Sequence, residues 1–254
     1  MSMPVRDTLK NLVKAGPVFR DAIQCGNPDV LSSMLGPAYR GFVLKQAKRD
    51  GESKFRVGFD AHFDWRYEST MPKMKRLYEA AKRDQWNATT DLSWGGDIDP
   101  GPGGKALLPD ELLPICDLPA FKNLTESQQT EQRWALMSWF LSQFLHGEQG
   151  ALVAAAQVTE AAPWLDAKLY GSTQVVDEGR HVETFHRYLT EKLGKLYEIN
   201  DNLYVVIDAL MLNEKWDVKF LGMQIMIEGL ALGAFGSIRH ATKEPLLKEL
   251  LGRV

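Results

Sequence analysis

Glu178 and His181 stand three residues apart in the run Asp177-Glu178-Gly179-Arg180-His181, inside a segment of helical character. At that spacing both side chains lie on one helix face, within reach of a single metal ion. A lone Glu-x-x-His arises often by chance, so its surroundings decide its weight. Glu148 and Glu228 interrupt the apolar stripes of two other expected helices. Carboxylates directed into a core from three helices are costly unless a cation neutralises them. Hard oxygen donors with one imidazole per metal suit iron or manganese better than zinc or copper. Carboxylate-bridged sites in four-helix bundles draw one Glu from each of two helices and Glu-x-x-His from each of the other two. Glu148, Glu178, His181 and Glu228 supply four of those six ligands, and a second Glu-x-x-His on a fourth helix is missing.

Other polar residues compete for the same role. Glu183 and His186 form another Glu-x-x-His, five residues further on. That offset turns a helix by about 140° net, which places Glu183 and His186 on the outer face. His146, two residues from Glu148, points elsewhere, and His240 lies about 120° off the face of Glu228. Phe144 and Leu232, one turn from Glu148 and Glu228, are expected in ordinary core packing, with a substrate-pocket wall as the alternative.

Three long helical segments must position these groups. Thr125 with Gln128 reads as a capping box opening the first, along which Trp134, Met137, Leu141, Phe144 or Leu145, Glu148 and Leu152 recur at helical spacing. Pro163 ends it or starts the next. The second runs over about 164–193, with Val175, Glu178, Val182, Phe185 and Leu189 on its stripe. The third covers roughly 202–240, with a break expected near Asn213 or Lys215, and Leu221, Ile225, Glu228, Leu232 and Phe235 on its stripe. No alternating strand pattern interrupts them, so the expected fold is all-α, a four-helix-bundle core at 125–254. From Glu244-Pro245 onward, Leu246, Leu247, Leu250, Leu251 and Val254 form an apolar stripe. It is expected to be a fourth core helix cut short, the alternative being a short helix docked on the core.

Residues 1–124 are expected to be an extension packed on that core. Helical stretches are expected near 5–15, 17–25, 37–49 and 71–86, the last with Met74, Leu77, Tyr78 and Ala81 on one side. Gly95-Gly96 and Pro100-Gly101-Pro102-Gly103-Gly104 read as loops. Trp65, Trp86 and Trp94 are too many large aromatics for a disordered tail.

Composition narrows the classes. The 254 residues are 44% hydrophobic and 25% charged, as in an ordinary globular protein. A formal net charge of −3 gives no bulk electrostatic case for nucleic acid or an anionic membrane. Two distant cysteines, Cys25 and Cys116, form no disulfide framework and fit a reducing cytoplasm. The first 19 residues lack a continuous apolar block, and no stretch is expected to approach the ~20 apolar residues of a membrane span.

The segment Asp177–His181 resembles the Asp-Glu-x-Arg-His motif of the ferritin-like di-iron carboxylate superfamily. Its members include bacterial multicomponent monooxygenase hydroxylases, ribonucleotide reductase small subunits and arylamine N-oxygenases. The interval from Glu148 to Glu178 is similar to theirs, and Gln85-Trp86-Asn87 with Asp91-Leu92-Ser93-Trp94 resembles the lead-in of oxygenase-like members. The resemblance implies a cytoplasmic oxidoreductase, a monooxygenase-like enzyme with two iron ions (manganese or a mixed pair being accepted by the same ligands) that uses dioxygen to oxidise a small organic substrate. Electrons would come from a reductase or ferredoxin, and a homodimer is a further expectation. In it Glu178 bridges the metals, His181 binds one of them, Glu148 is a terminal ligand and Glu228 a terminal or bridging one. Asp177 and Arg180 would hold the histidines and the fold. Gly179 departs from the alanine commoner in the motif, at roughly 1 kcal/mol of helix propensity. The second Glu-x-x-His would, by the superfamily's spacing, fall just past Val254, so activity is expected of the intact protein. The rival expectations are an iron-oxidising or radical-generating protein and a truncated, non-catalytic scaffold.

Overall fold

The computed structural model describes residues 54–254 together with Arg20, Ile23 and Tyr39. The helical stretches expected near 5–15, 17–25 and 37–49 lie outside the described residues, those three positions aside. Regular structure among the described residues is helical throughout, and the fold is all-α. The helices are α1 (Pro72–Arg83), α2 (Pro119–Lys122), α3 (Glu126–Ala161), α4 (Leu165–Arg187), α5 (Asp201–Leu212), α6 (Trp216–Ala241) and α7 (Pro245–Leu250).

Helix α3 begins at the capping box. The backbone N–H of Gln128 donates to Thr125 Oγ1 (3.3 Å), and that of Thr125 donates to Gln128 Oε1 (2.9 Å). Pro163 sits in the short connection to α4, so α3 and α4 pack as an antiparallel pair over much of their length. Past Arg187, α4 continues in wider, i→i+5 turns over Tyr188–Leu193 and stops at Gly194, whose φ of 64° suits a residue without Cβ. The expected break near Asn213 falls between α5 and α6. Asn200 caps α5, accepting from the N–H groups of Asn202 and Leu203. Its own backbone N–H donates to Gln143 Oε1 (2.8 Å), which straps this loop to α3.

Helix α6 is composite. Trp216–Lys219 and Glu228–Ala241 are α-helical, and Phe220–Ile227 between them is wound in wide turns, the N–H of Glu228 reaching back to Met223 O. By length and composition α6 is apolar enough to cross a membrane, and 17% of its most apolar window is buried. This corrects the expectation that no stretch approaches such a span. It also corrects the stripe expected there. Phe235 is buried, but Leu221, Ile225 and Leu232 are exposed. The wide turns rotate less per residue than an α-helix, which shifts the phase before Glu228. Beyond it, no described element covers the side bearing Leu232.

The C-terminal stripe is docked on the core. In α7 and the turn after it, Leu246, Leu247, Leu250 and Leu251 are buried with Met137, Leu141, Phe185, Tyr188 and Leu189. The Tyr188 hydroxyl donates to Glu244 Oε2 (2.9 Å), and the Glu244 carboxylate also accepts from the N–H groups of Leu246 and Leu247 at the start of α7.

The preceding segment lies against these helices. Asp166 at the start of α4 accepts from Met71 N (2.7 Å) and Ser69 Oγ (3.2 Å). On α1, Met74, Tyr78 and Ala81 are partly buried and Leu77 is exposed. The glycine-rich loop packs on α3, where buried Arg133 donates to Gly103 O (2.8 Å), pairs with Asp110 and lies over the Phe121 ring.

Candidate metal centre

Glu148 points inward from the middle of α3. Gly150, two residues on, explains how α5 and α6 approach it so closely. A Cβ there would meet Ile207 Cδ1 at 3.0 Å and the Met223 methyl at 3.3 Å. Glu178 and His181 come from one face of α4, as their spacing requires. One ligand atom each from Glu148, Glu178 and His181 lies within 4.8 Å of the others, close enough to share an ion. His181 Nδ1 stands 3.1 Å from Glu148 Oε2 and 3.3 Å from Glu178 Oε2. Glu148 and Glu178 are buried and His181 nearly so. Glu228, on α6, faces the same cluster. It stands outside the close trio but near enough for the charges of Glu148, Glu178 and His181 to act on it.

The electrostatics are those of a site with more buried carboxyl groups than positive charge. Burial pushes the Glu148 carboxyl up to about 7, against the opposing hydrogen bond and charge of His181, with Glu178 adding repulsion. Burial, then repulsion from Glu148 and Glu178, pushes Glu228 up to about 8. Burial alone would lower His181, but its bonds and charge interactions with Glu148 and Glu178 outweigh this and raise it to about 9. Among the described residues, no arginine or lysine forms an ion pair with these carboxylates. Glu148, Glu178 and His181 therefore form a group that could hold a metal ion, which would replace the shared protons as the neutralising charge.

Other residues lie along the same helices on either side of the cluster. Toward one end, Phe144, Phe185 and Phe235 pack ring against ring, with Phe144 and Phe235 centroids 4.8 Å apart and edge to face. Phe144 thus belongs to an aromatic cap one turn from Glu148, while Leu232 is exposed among the described residues. A separate apolar cavity lies farther along the same helices; Gln174 and Gln224 are among its lining residues, and none of the four cluster residues is. Neither glutamine was singled out in the sequence, yet a signal was present. Each stands four residues before an inward carboxylate, in Gln174-x-x-x-Glu178 and Gln224-x-x-x-Glu228.

The remaining polar residues take other places. Glu183 and His186 are exposed on the outer face of α4, and His240 is exposed on α6. His146 Nε2 lies 2.9 Å from Tyr197 O, away from the cluster. Asp177 and Arg180 pair with each other, and Arg180 also donates to Gln85 Oε1 and Trp86 O (3.0 Å) and lies over the Trp86 ring. Their bonds hold the segment before α2 against α4, and His181 is not among the partners of these bonds. Gly179 has open space where a Cβ would be, so no packing demands its glycine.

No family model, no curated protein and no solved structure matches this chain. The helical architecture and the carboxylate–histidine cluster, which is compatible with a di-iron site, therefore rest on the chain's own geometry.

Proposed function

We propose that this protein is a ferritin-like, non-haem di-iron oxidoreductase that uses dioxygen to oxidise an organic substrate. The observation that carries the reading is the buried Glu148–Glu178–His181 cluster, with Glu228 facing it from a third helix. Glu178 and His181 would hold metal from α4, Glu148 from α3 and Glu228 from α6. Bound iron would supply the electrons for reducing dioxygen, replenished by a reductase or ferredoxin. The chain's own residues do the rest. Glu148 and His181 share a proton across 3.1 Å in the metal-free protein and release it when a cation replaces it. The Phe144–Phe185–Phe235 cap excludes water from one end of the site. The low-polarity surroundings strengthen every charge interaction within.

The test is anaerobic titration with ferrous ion, followed by metal analysis and oxygen consumption, with Glu178→Ala as control. Stoichiometric iron binding and oxygen uptake, both lost in Glu178→Ala, are expected. A folded protein that binds neither iron nor manganese would overturn the reading.

A further inference from the structure

A cavity of about 220 Å³ lies around the α3–α4 connection, bounded also by α1 and α6. Its origin is in the sequence. Ala155, Ala162, Ala167 and Gly171 bring short or absent side chains to the place where these helices meet. Met71 and Met74 at the start of α1, with Trp216 and Phe220 on α6, wall the space they leave. None of Glu148, Glu178, His181 and Glu228 lines it, so it is a place apart from the candidate metal centre.

The surface turned toward the space is apolar almost throughout, at Tyr170, Gln174 and Gln224 as well, and no charged residue lines it. A water molecule inside has next to no hydrogen-bond partner, so hydrocarbon displaces it favourably. A charged or hydrogen-bonding group placed there would lose its hydration without compensation. Size sets the second limit. A dry cavity of about 150 Å³ holds benzene, so one of about 220 Å³ has room for a benzene ring with two small substituents. The walls adapt to such a guest, since the Met71 and Met74 side chains are unbranched and polarizable. At the rim Trp164 and Trp216 meet edge to face with centroids 6.0 Å apart, and Trp164 and Phe220 are exposed, which opens a route from solvent.

We infer that this cavity is a binding site for small hydrocarbons of the size of a dimethylbenzene. It selects by volume and by rejecting hydrogen-bonding groups, and it favours no one end of its guest. The inference goes beyond the di-iron reading and does not depend on it, because the cavity shares no lining residue with the cluster.

The pair p-xylene and hydroquinone tests it on the metal-free protein without oxygen. The two molecules are alike in shape. Their substituents are opposed, so one methyl or one hydroxyl must enter the cavity whichever way the ring turns. The indole N–H signals of Trp164 and Trp216, assigned with Trp164→Phe, report occupancy by NMR. p-Xylene is expected to shift both signals with a dissociation constant on the order of 0.1–1 mM, and to raise the melting temperature. Hydroquinone is expected to bind about tenfold more weakly or worse, because a hydroxyl is buried without a partner. Ala167→Leu, which fills part of the cavity, is expected to weaken p-xylene at least tenfold. Failure of p-xylene to move the two signals, or hydroquinone binding as tightly as p-xylene, would overturn the inference on the wild-type protein, without any variant having to fold. A folded Ala167→Leu protein that holds p-xylene as well as wild type would place the hydrocarbon elsewhere and overturn it too. Iron titration of the same samples keeps the two readings apart. Metal binding without p-xylene binding removes the cavity inference alone, and p-xylene binding without metal binding removes the di-iron reading alone.

Discussion

Helices α3 and α4 and helix α6 carry the same sequence signature, a glutamate set among apolar residues, and the fold treats them differently. On α3 and α4 the neighbours of Glu148 and Glu178 are enclosed. Met137, Leu141, Phe185 and Leu189 are all fully buried. On α6 the inner side presents Glu228 to the cluster, but Met226, Leu230 and Leu232 are 62%, 77% and 61% exposed. An apolar residue on a helix therefore says that a face wants cover, and only the packing of other elements says whether it receives it. The difference also ranks the ligands. Glu148, Glu178 and His181 are fixed by the rigid pair and form the close trio, whereas Glu228 sits on the helix that is packed on one side and wound in wide turns just before it.

The sharpest way to break this comparison is to remove a side chain from the rigid pair. Phe185→Ala deletes a fully buried ring that touches both Phe144 and Phe235, and is expected to cost about 3–5 kcal/mol in denaturant unfolding. A loss below about 1 kcal/mol would show that α3 and α4 are not packed as described.

Next in size is the response to pH. Folding raises Glu148 from the ordinary 4.5 to about 7, Glu228 from 4.5 to about 8 and His181 from 6.5 to about 9. A group raised on folding stabilises the protein fully below its unfolded value, and that contribution is lost as pH climbs through its folded value. All three act in the same direction, so the metal-free protein is expected to lose on the order of a few kcal/mol between pH 6 and pH 9. Metal requires the deprotonated ligands, so the gap in melting temperature between iron-loaded and metal-free protein is expected to widen over that range. Glu228→Gln should flatten the metal-free profile between about pH 5 and pH 8 while leaving the share due to Glu148 and His181. Stability that instead rises steadily from pH 6 to 9 would mean that these carboxylates are not buried together.

Much of this was legible in the sequence because it depends on local rules. The capping box at Thr125 and Gln128, the break beyond Leu212 and the shared face of Glu178 and His181 follow from hydrogen-bond chemistry and helical periodicity, which neighbours do not alter. The convergence of Glu148 on that pair was legible too, since a carboxylate on a buried stripe has few places to go. What could not be read depends on the whole assembly. The stripe through Leu221 and Ile225 assumed uniform helical rotation, which the wide turns over Phe220–Ile227 alter, and Leu232 beyond them lies on a side that no described element covers. Asp177 and Arg180 look like partners of the histidine by proximity in the chain, yet Arg180 is claimed by Gln85 and Trp86, about 95 residues away. The cavity beside Gln174 and Gln224 is a space between helices, which no single segment encodes.

A smaller effect sharpens the view of α4 as a helix whose strength is not exhausted. Gly179 lies between two ligands, with helical backbone and nothing within 4 Å of where a Cβ would project. Gly179→Ala is expected to stabilise the metal-free protein by about 0.5–1 kcal/mol through helix propensity and reduced freedom of the unfolded chain. Iron affinity should be unchanged, because neither ligand moves. A destabilised variant would show that the space beside residue 179 is used in solution.

The smallest expected effect bears most directly on the contrast between helices. Leu230→Gln replaces the most exposed of the large apolar residues on α6 by a residue of nearly equal helix propensity and similar length. If the outer side of α6 meets only water, little apolar contact is lost, and unfolding free energy should change by no more than about 0.5 kcal/mol. The same substitution reports on self-association, since an apolar face of this kind is a natural contact between copies of a chain. Light scattering after gel filtration should give one mass for wild type and variant if the face is bare. A loss above about 2 kcal/mol, or a fall in mass, would show that the face is covered in solution. Glu228 would then be held as firmly as Glu148, and the distinction between a rigid pair and a half-packed third helix would belong to the isolated chain alone.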